Sequence, residues 1–493
     1  MGDPRGWRVP GSYERWLLVA MGTAFVAWSA VLLPSGCQGS ARTARMPDMP
    51  RSPLEGRQVA QATQPAGAGA APAPKGPERP KPPALRPELP VEEPMMRVRV
   101  ESLRGRPFVL GQAGETLRVR GRADATPIAV RAPLSVAFDG GWNIVEGAGV
   151  AGAKPVSVSA GETIFVEPAA NGMNWGAVRY PGTARVVART DIGPDAADLV
   201  FDVPMETYLP GVLAKELLKG WSREAYRAQA VAARSYALCE HAWWQGRRHF
   251  DVVAGQGSQA WIGLTSDRTS VDAARDTRGE YLVFDGRVVP AYYSSCCGGA
   301  PASATDAIRE GSWMDIAPLI VDGREDARKS GCCEKAPTAR WKVTLTAAEL
   351  ARRLDAWAID QGRKDLGGLT GVKSITVAET NPAGRPVSFR IADANGRKVL
   401  WESEDLRYAV NAGAAGSKDT LKSGFVSPSV SGGRVTFDGR GHGHGSGMCQ
   451  FGAETMAKAG REHRDILRRY YPGATVQVAP TGGQAAMPGA QGR

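Results

Sequence analysis

The hydrophobic pattern of this 493-residue chain changes near residue 204, and no other feature constrains its fold as strongly. Across residues 94–203, short segments such as "TLRVRGRA" and "DLVFDVP" are rich in β-forming residues and are separated by Gly, Asp and Asn, which is typical of antiparallel strands. Beyond this point "ETYLPGVLAKELL" and "REAYRAQAVAARSYALCEHAWW" have helical character, and Ser222 is a favoured N-cap for the second helix. We therefore predict an α+β fold, with a mostly β N-terminal platform and a mixed α/β region over residues 204–476.

The first 37 residues have the pattern of an export signal. Arginines precede an apolar run over residues 16–33, and Ser35-Gly36-Cys37 follows it. This ending is similar to a lipoprotein signal, in which Cys37 carries the lipid. The alternatives are an uncleaved transmembrane anchor, for which the run is long enough, and simple secretion. All three interpretations predict a protein exported to the periplasm or cell envelope. The lipoprotein and the uncleaved anchor also predict attachment to the membrane.

Two segments have compositions that predict disorder. Residues 38–93 are dominated by Pro, Ala, Gly and charged residues and cannot bury a core, so we predict an extended linker. Residues 477–493 are rich in Gly, Ala and Gln and are predicted to form a disordered tail. A long linker suits an anchored protein that reaches across a gap.

The net charge of +11 predicts an anionic partner. Zinc-finger spacing and basic strands interleaved with aromatic residues are absent from the sequence, and export also disfavours nucleic acid. The remaining partners are a membrane surface and an anionic polymer of the cell wall.

Glu216 is the first candidate for acid–base chemistry. It lies in "VLAKELLKGW", where apolar neighbours disfavour the ionised carboxylate and raise its pKa towards the range of a general acid. Lys215 and Lys219 oppose this effect if they point the same way. The alternative is a solvated glutamate on the surface of an amphipathic helix. From these residues alone both alternatives stay open.

The segment around Glu216, "VPMETYLPGVLAKELLKGWSREAYRAQAVAARSYAL", resembles the signature of the SpoIID/LytB family. "AQAVAARSYA" is its most specific block. Similar blocks follow in the same order, namely "RGEYLVFDGRVVPAYYSSCCGG", "GRGHGHGSGMCQFGAETMAKAG" and "ILRRYYPGA". The resemblance covers residues 95–476 and implies that the α/β region is catalytic and forms a glycan-binding cleft.

The resemblance implies a peptidoglycan lytic transglycosylase that needs no cofactor. Such an enzyme cleaves the MurNAc–GlcNAc bonds of strands without stem peptides and leaves 1,6-anhydroMurNAc ends. The family's essential glutamate corresponds to Glu216. One alternative is a non-catalytic module that binds peptidoglycan and enhances a cell-wall amidase, and another is a structural tether. Ala214-Lys215 replaces the Pro-Ser that is common before the glutamate, which affects its local geometry.

The resemblance also implies a set of substrate-binding residues. Arg234 is our candidate for gripping the lactyl carboxylates that are uncovered when stem peptides are removed. For Arg234 the alternative is an arginine on the protein surface. For Gln229 and Tyr236 the alternative is packing on one helix face. The other candidates are Gln229, Tyr236, Gln259, Ser294, Ser295, His442, His444 and Gln450.

The histidines of "GRGHGHGSGMCQFG" alternate with glycines, so His442 and His444 would share one side of an extended segment and could suggest a metal site. A phosphate loop is excluded, since neither its glycine spacing nor its Lys-Ser ending is present. In the family context we expect a wall of the glycan cleft, with a structural turn as the alternative. Some family members bind zinc through a His and a Cys before the position of Gln259, where this chain has Gly257 and Ser258, so we expect no metal there.

The remaining cysteines include two adjacent pairs, Cys296-Cys297 and Cys332-Cys333. Adjacent cysteines bond each other only with strain, so in an exported protein we expect disulfides between the pairs. A four-thiolate zinc site is the alternative, although its ligands are usually two to four residues apart. Cys239 and Cys449 are left to pair with each other or to stay buried.

Overall fold

A computed structural model describes residues 86–480, except 256, 309–314, 324–332, 364, 413 and 415–418. The predicted anchor, most of the predicted linker and tail, Cys37 and Cys332 lie outside the described residues. Within them, no helix has both the length and the apolar character needed to cross a membrane.

The last residues of the predicted linker are part of the folded structure. Arg86 donates a hydrogen bond from Nη1 to the carbonyl oxygen of Phe284 at 3.0 Å, and Val288 donates its N–H to the carbonyl oxygen of Pro87 at 2.8 Å. The first residues of the predicted tail are likewise ordered, because a strand continues to Val478.

The N-terminal platform consists of two β-sheets. Its strands are β1 (Met95–Arg104), β2 (Phe108–Leu110), β3 (Thr116–Arg120), β4 (Ile128–Arg131), β5 (Leu134–Phe138), β6 (Trp142–Glu146), β7 (Lys154–Pro155), β8 (Thr163–Pro168), β9 (Met173–Trp175), β10 (Val178–Tyr180), β11 (Thr183–Ala188) and β12 (Ala196–Pro204), joined by β13 (Val252–Val253). The sheet orders are β13-β1-β12-β11-β8-β3-β4 and β10-β9-β2-β5-β6-β7. Pairing is antiparallel except between β1 and β13, as the short alternating segments predict.

Burial of β12 explains how the platform joins the rest of the chain. Leu199, Phe201 and Val203 are fully buried, and the Phe201 ring stacks on Tyr180 with centroids 4.7 Å apart. The strand runs directly into a helix, so the first turn of that helix is placed by the sheet. The strand-to-helix change predicted near residue 204 is confirmed at this point.

Among the described residues, the helices begin after β12. They are α1 (Met205–Glu216), α2 (Arg223–Trp244), α3 (Arg268–Asp276), α4 (Ala304–Ala307), α5 (Ala347–Asp360), α6 (Ser403–Ala412), α7 (Gln450–Lys458) and α8 (His463–Tyr470). Ser222 is the N-cap residue of α2, as predicted, but its side chain does not cap the helix. It binds Glu454 of α7 instead, with its N–H at 2.8 Å and its hydroxyl at 3.2 Å from the two carboxylate oxygens.

Short sheets pack around α2 and in a separate region after it. The remaining strands are β14 (Glu280–Phe284), β15 (Arg287–Val288), β16 (Tyr293–Ser294), β17 (Arg340–Thr346), β18 (Ser374–Thr380), β19 (Pro386–Ala392), β20 (Lys398–Glu402), β21 (Val426–Ser431), β22 (Arg434–Arg440), β23 (Met448–Cys449) and β24 (Thr475–Val478). Strands β17 to β22, with α5 and α6, enclose a hydrophobic core of their own, centred on Trp401, Phe389 and Leu354. The predicted α+β fold is confirmed.

The parallel pair of β16 and β23 brings two distant motifs together. Tyr293 lies opposite Met448, and Ser294 lies opposite Cys449. The "YYSSCCGG" segment and the glycine-rich segment are therefore neighbours, and α7 begins where β23 ends.

Candidate functional site

Glu216 is the last residue of α1, and two other parts of the chain hold its carboxylate. Ala260 donates its backbone N–H to Glu216 Oε1 at 2.9 Å, and Gln450 donates from Nε2 to Oε2 at 3.3 Å. Within the described part of the chain, both polar contacts of this carboxylate are thus N–H donors and neither is a second carboxylate. The side chain stays partly exposed, so a ligand can reach it.

Burial raises the pKa of Glu216 above its ordinary value, because the ionised form loses hydration. The N–H of Ala260, the amide of Gln450 and the charge of Lys215 act in the opposite direction, but burial prevails. Such a carboxyl keeps its proton at a higher pH than a solvated glutamate and can donate it to a bound ligand. The two N–H donors then stabilise the carboxylate that remains.

Gln450 begins α7 and links Glu216 to Gln229 on α2. Its Nε2 lies 3.5 Å from Gln229 Oε1, at the limit of a hydrogen bond. Gln229 is fully buried, and its own Nε2 has no hydrogen-bond partner among the described residues. An unsatisfied buried donor is costly, so a water or a ligand oxygen beside Glu216 would stabilise this arrangement. The structure brings these two predicted residues to the glutamate.

Gln259 lies behind the glutamate in a buried tyrosine network. Its Oε1 accepts from the Tyr208 hydroxyl at 3.1 Å, and its Nε2 donates to the hydroxyl oxygen of Tyr293 at 3.0 Å. These contacts fix the loop whose next residue, Ala260, donates to Glu216. Gln259 therefore supports the site from the interior and does not reach the surface.

The other residues predicted on β16 and α2 surround this network. The Tyr236 ring packs edge-on against Tyr292, with centroids 5.6 Å apart, and against Tyr293 at 6.5 Å. Ser294 is buried, and its Oγ has no hydrogen-bond partner in the described part of the chain. Ser295 is partly exposed and accepts the N–H of Phe451 at 3.1 Å through its carbonyl oxygen, which ties β16 to α7.

The structure does not bring Arg234 to the cleft. Its side chain has 0% exposure and forms a bidentate ion pair with Glu206. Nε donates to Glu206 Oε1 at 2.9 Å, and Nη2 donates to Oε2 at 2.8 Å. Further donors bind the carbonyl oxygens of Glu280 and Ala274, both at 3.2 Å. Every edge of the guanidinium thus has a partner inside the protein, and the arginine has no surface with which to grip a lactyl carboxylate.

The two histidines of the glycine-rich segment have different environments. His442 is exposed, and its backbone forms a bridge with Cys296. Burial, with Arg407 and Arg385 nearby, lowers the pKa of His444 to about 3, so its ring is neutral at physiological pH. Ser446 donates its N–H to His444 Nδ1 at 3.1 Å.

Glycines in this segment allow it to lie directly on the segment that contains β16. A Cβ on Gly447 would stand 1.9 Å from the carbonyl oxygen of Tyr292, and one on Gly441 would stand 2.4 Å from that of Cys296. Both residues have positive φ, of 67° and 75°. The close approach that requires glycine at these two positions is therefore one between two backbones of the protein itself.

Gly447→Ala is expected to destabilise the protein by several kcal/mol more than Gly460→Ala. Both glycines have positive φ, 67° and 78°, so each substitution carries a backbone cost of about 1–2 kcal/mol. Around Gly460, however, no atom stands within 4 Å of the added Cβ, whereas at Gly447 the backbone must move. Urea unfolding of the two variants measures the difference, and equal losses would contradict the contact between the segments.

The predicted disulfides are not formed among the described residues. Cys239, Cys296, Cys297, Cys333 and Cys449 are free and buried. The two cysteine pairs do approach each other, since Cys297 Sγ lies 3.6 Å from Cys333 Sγ. Cys449 lies beside this group and Cys239 does not, because its thiol contacts the carbonyl oxygen of Val288 at 3.6 Å.

The sequence analysis did not identify Ala260, which donates to Glu216, or the two tyrosines that contact Gln259. Ala260 acts through its backbone, so no side-chain pattern could identify it. Tyr208 and Tyr293 carry a signal only in combination, as tyrosines beside recognised motifs, and their contact with Gln259 depends on the tertiary fold.

Comparison with known proteins finds similarity to a described family in the part of the chain that contains this site. Residues 195–284, which contain Glu216, Gln229 and Gln259, match the family model SpoIID, described as "Stage II sporulation protein". The chain is 27% identical over 303 residues to the Amidase enhancer of Bacillus subtilis (strain 168), covering 54% of this chain and 40% of that protein. It thus spans less than half the length of that relative.

Two further relatives are covered over more of their length. The chain is 27% identical over 297 residues to Stage II sporulation protein D of Bacillus subtilis (strain 168), which covers 57% of this chain and 76% of the relative. It is 29% identical over 283 residues to an uncharacterized protein of Brachyspira hyodysenteriae, which covers 57% of this chain and 69% of the relative.

Proposed function

We propose that this chain, which belongs to the SpoIID family, is a peptidoglycan lytic transglycosylase. A role at the cell wall and a location outside the cytoplasm follow from the family and its named relatives. The finer proposal is that the chain cleaves MurNAc–GlcNAc bonds in strands without stem peptides. It rests on one observation, namely a partly exposed carboxyl with a raised pKa, held by two N–H donors.

The first step of the proposed reaction is proton donation by Glu216. Its proton passes to the glycosidic oxygen while the bond from that oxygen to C1 of MurNAc breaks, and the bonding electrons leave with the oxygen. Positive charge develops at C1 and the ring oxygen. The Glu216 carboxylate is formed next to this charge, and Ala260 and Gln450 keep its two oxygens in place.

The second step returns the proton to Glu216. The carboxylate takes the proton of the MurNAc 6-hydroxyl, and O6 forms a bond to C1, which closes the 1,6-anhydro ring. The attacking hydroxyl belongs to the substrate, so the reaction requires neither a water molecule nor a second carboxylate. This matches a glutamate whose described polar partners are N–H donors alone.

We place the sugar chain against the surface beside Glu216, between the start of α7 and β16. Gln229, Gln450 and Ser294 lie buried behind this surface. Gln229 Nε2 and Ser294 Oγ have no partner within the described residues, and from there they reach a sugar hydroxyl through an ordered water. Tyr236, Ser295, His442 and His444 border the same junction, and Gln259 supports it. A lipid on Cys37 and an amidase that removes the stem peptides remain part of the proposal.

The alternative is a non-catalytic module that binds peptidoglycan and enhances an amidase. The relative named Amidase enhancer and the Ala214-Lys215 sequence before the glutamate favour it.

The two functions are separated by incubating the purified protein with glycan strands from which an amidase has removed the stem peptides. We expect 1,6-anhydroMurNAc ends, detected by mass spectrometry, and far fewer of them on strands that keep their peptides. Strands that stay intact although the protein binds them would overturn the transglycosylase and support the binding module.

A further inference from the structure

Three cysteines from distant parts of the sequence place their sulfur atoms together. The Sγ atoms of Cys297, Cys333 and Cys449 all lie within 4.8 Å of one another, and all three residues are buried. Cys297 follows β16, Cys333 lies in a turn before β17, and Cys449 ends β23. Three separate segments therefore meet at one group of sulfurs.

A fourth cysteine lies at the same junction. Cys296 is fully buried, and its Sγ lies 3.9 Å from the carbonyl oxygen of Cys333. The backbone bridge between Cys296 and His442 holds this residue against the glycine-rich segment. The junction thus contains four thiols, the number that a structural zinc ion binds, although only the sulfurs of Cys297, Cys333 and Cys449 all lie within 4.8 Å of one another.

The spacing of the sulfurs favours a metal over disulfides. In a disulfide the sulfurs are about 2.05 Å apart. In a tetrahedral zinc site with Zn–S bonds of about 2.3 Å, neighbouring sulfurs are about 3.8 Å apart. Cys297 Sγ and Cys333 Sγ are 3.6 Å apart, close to the second value. A metal also explains why three sulfurs converge on one point, whereas a disulfide needs only two.

The charge around the junction also favours a metal–thiolate cluster. Arg385 is 2% exposed and donates from Nη1 to the carbonyl oxygen of Cys297 at 3.0 Å, while its Nη2 has no hydrogen-bond partner and no carboxylate forms an ion pair with it among the described residues. Glu404 is close enough to act on the Arg385 charge, but it forms its ion pair with Arg407. Arg385 is thus left without a direct counter-charge, which is costly for a buried cation. Zinc bound by four thiolates carries a net charge of −2 and would supply that counter-charge, whereas two disulfides are neutral.

Backbone donors are already directed at one of the sulfurs. Cys297 and Gly452 each donate an N–H to Cys449 Sγ at 3.4 Å, and Cys449 is the N-cap residue of α7. N–H groups at a helix N-terminus stabilise a thiolate, the form of cysteine that binds metal.

We propose that Cys296, Cys297, Cys333 and Cys449 bind one structural Zn²⁺ that fastens the start of α7 to the segment after β16. Because Gln450 follows Cys449 directly, the ion fixes the position of the residue that donates to Glu216. The inference concerns structure and does not depend on glycan cleavage, so it stands or falls separately from the proposed function.

The test uses the full chain, exported by its host and purified without added metal. We expect about one zinc per chain by inductively coupled plasma mass spectrometry. After denaturation with a chelator and without a reductant, all four cysteines should react with an alkylating agent. Replacement of the ion by Co²⁺ should give the intense visible and near-ultraviolet bands of tetrahedral thiolate coordination.

Single substitutions test whether the cysteines of the cluster bind the zinc. Cys297→Ser and Cys449→Ser should lower the zinc content to below about 0.1 per chain. The matched control is Cys239→Ser, since Cys239 is equally buried but lies against Val288, and it should keep its zinc. Wild-type protein with no metal and with peptides cross-linked between these cysteines would overturn the proposal in favour of disulfides. Zinc that is retained by both Cys297→Ser and Cys449→Ser would also overturn the proposal.

Discussion

Glu216→Gln is expected to lower the rate of glycan cleavage by about 10²–10⁴-fold, which is the usual contribution of a general acid. Glutamine keeps the size and one acceptor oxygen of the side chain but has no proton to donate to the glycosidic oxygen. The partly exposed groups proposed to border the sugar chain, such as Tyr236 and Ser295, are unchanged. Strand affinity should therefore stay within a few-fold of wild type, as measured by co-sedimentation with insoluble glycan, while anhydro ends disappear.

Glu101→Gln is the matched control for this substitution. Burial also raises the pKa of Glu101, but that residue lies on β1 of the platform and its described hydrogen bond is to the N–H of Ser102. Its substitution should leave cleavage unchanged. If Glu216→Gln cleaved strands at the wild-type rate, proton donation by Glu216 would be refuted. If neither variant nor wild type cleaved them, the binding module would be supported.

The pH dependence of cleavage and of stability gives a second, independent test of proton donation by Glu216. Since Glu216 must be protonated to act, kcat/KM should fall as pH rises through its folded pKa, and burial places this fall above the pH expected for a solvated glutamate. A raised folded pKa also means that the native state holds this proton more tightly than the unfolded state. The corresponding stability is fully present below the unfolded pKa and is lost as pH rises through the folded pKa. Glu216→Gln should therefore gain stability relative to wild type with rising pH, as measured by urea unfolding at several pH values.

Sequence reasoning succeeded where the determinants are local. The change from alternating segments to helical ones near residue 204 places β12 and α1 correctly, because strand and helix periods depend on nearby residues. For Glu216 the sequence left a raised pKa and a solvated surface carboxyl both open, and burial in the fold raises the pKa. Gln229 and Gln450 were named as candidates through the family resemblance, and the fold brings both to the glutamate.

Other parts of the site depend on contacts between distant residues. Ala260 acts through its backbone, and the sulfur cluster joins residues 36 and 152 positions apart in sequence. The role of Arg234 depends on Glu206, an ion-pair partner 28 positions earlier in the chain. In each case the sequence does not identify the contacting residue, because the contact depends on the tertiary packing.

Arg234→Met is expected to destabilise the protein by about 3–5 kcal/mol, because it leaves the carboxylate of Glu206 buried without its counter-charge. Methionine fills much of the same volume, so the loss reports mainly the ion pair. Combining Arg234→Met with Glu206→Gln should restore part of the stability, since the second change removes the uncompensated charge. Urea unfolding of the two single variants and the double variant measures this coupling.

Arg223→Met is the matched control on the same helix. Arg223 also pairs with an acid, Asp276, but its side chain is 57% exposed, and an exposed pair contributes at most about 1 kcal/mol. Binding distinguishes the two roles considered for Arg234. An arginine of the protein interior lowers stability and leaves the strand affinity of the folded protein unchanged, whereas an arginine of the cleft lowers affinity at wild-type stability. The 0% exposure of Arg234 and its two-fold contact with Glu206 lead us to expect the first result, and the second would return Arg234 to the cleft.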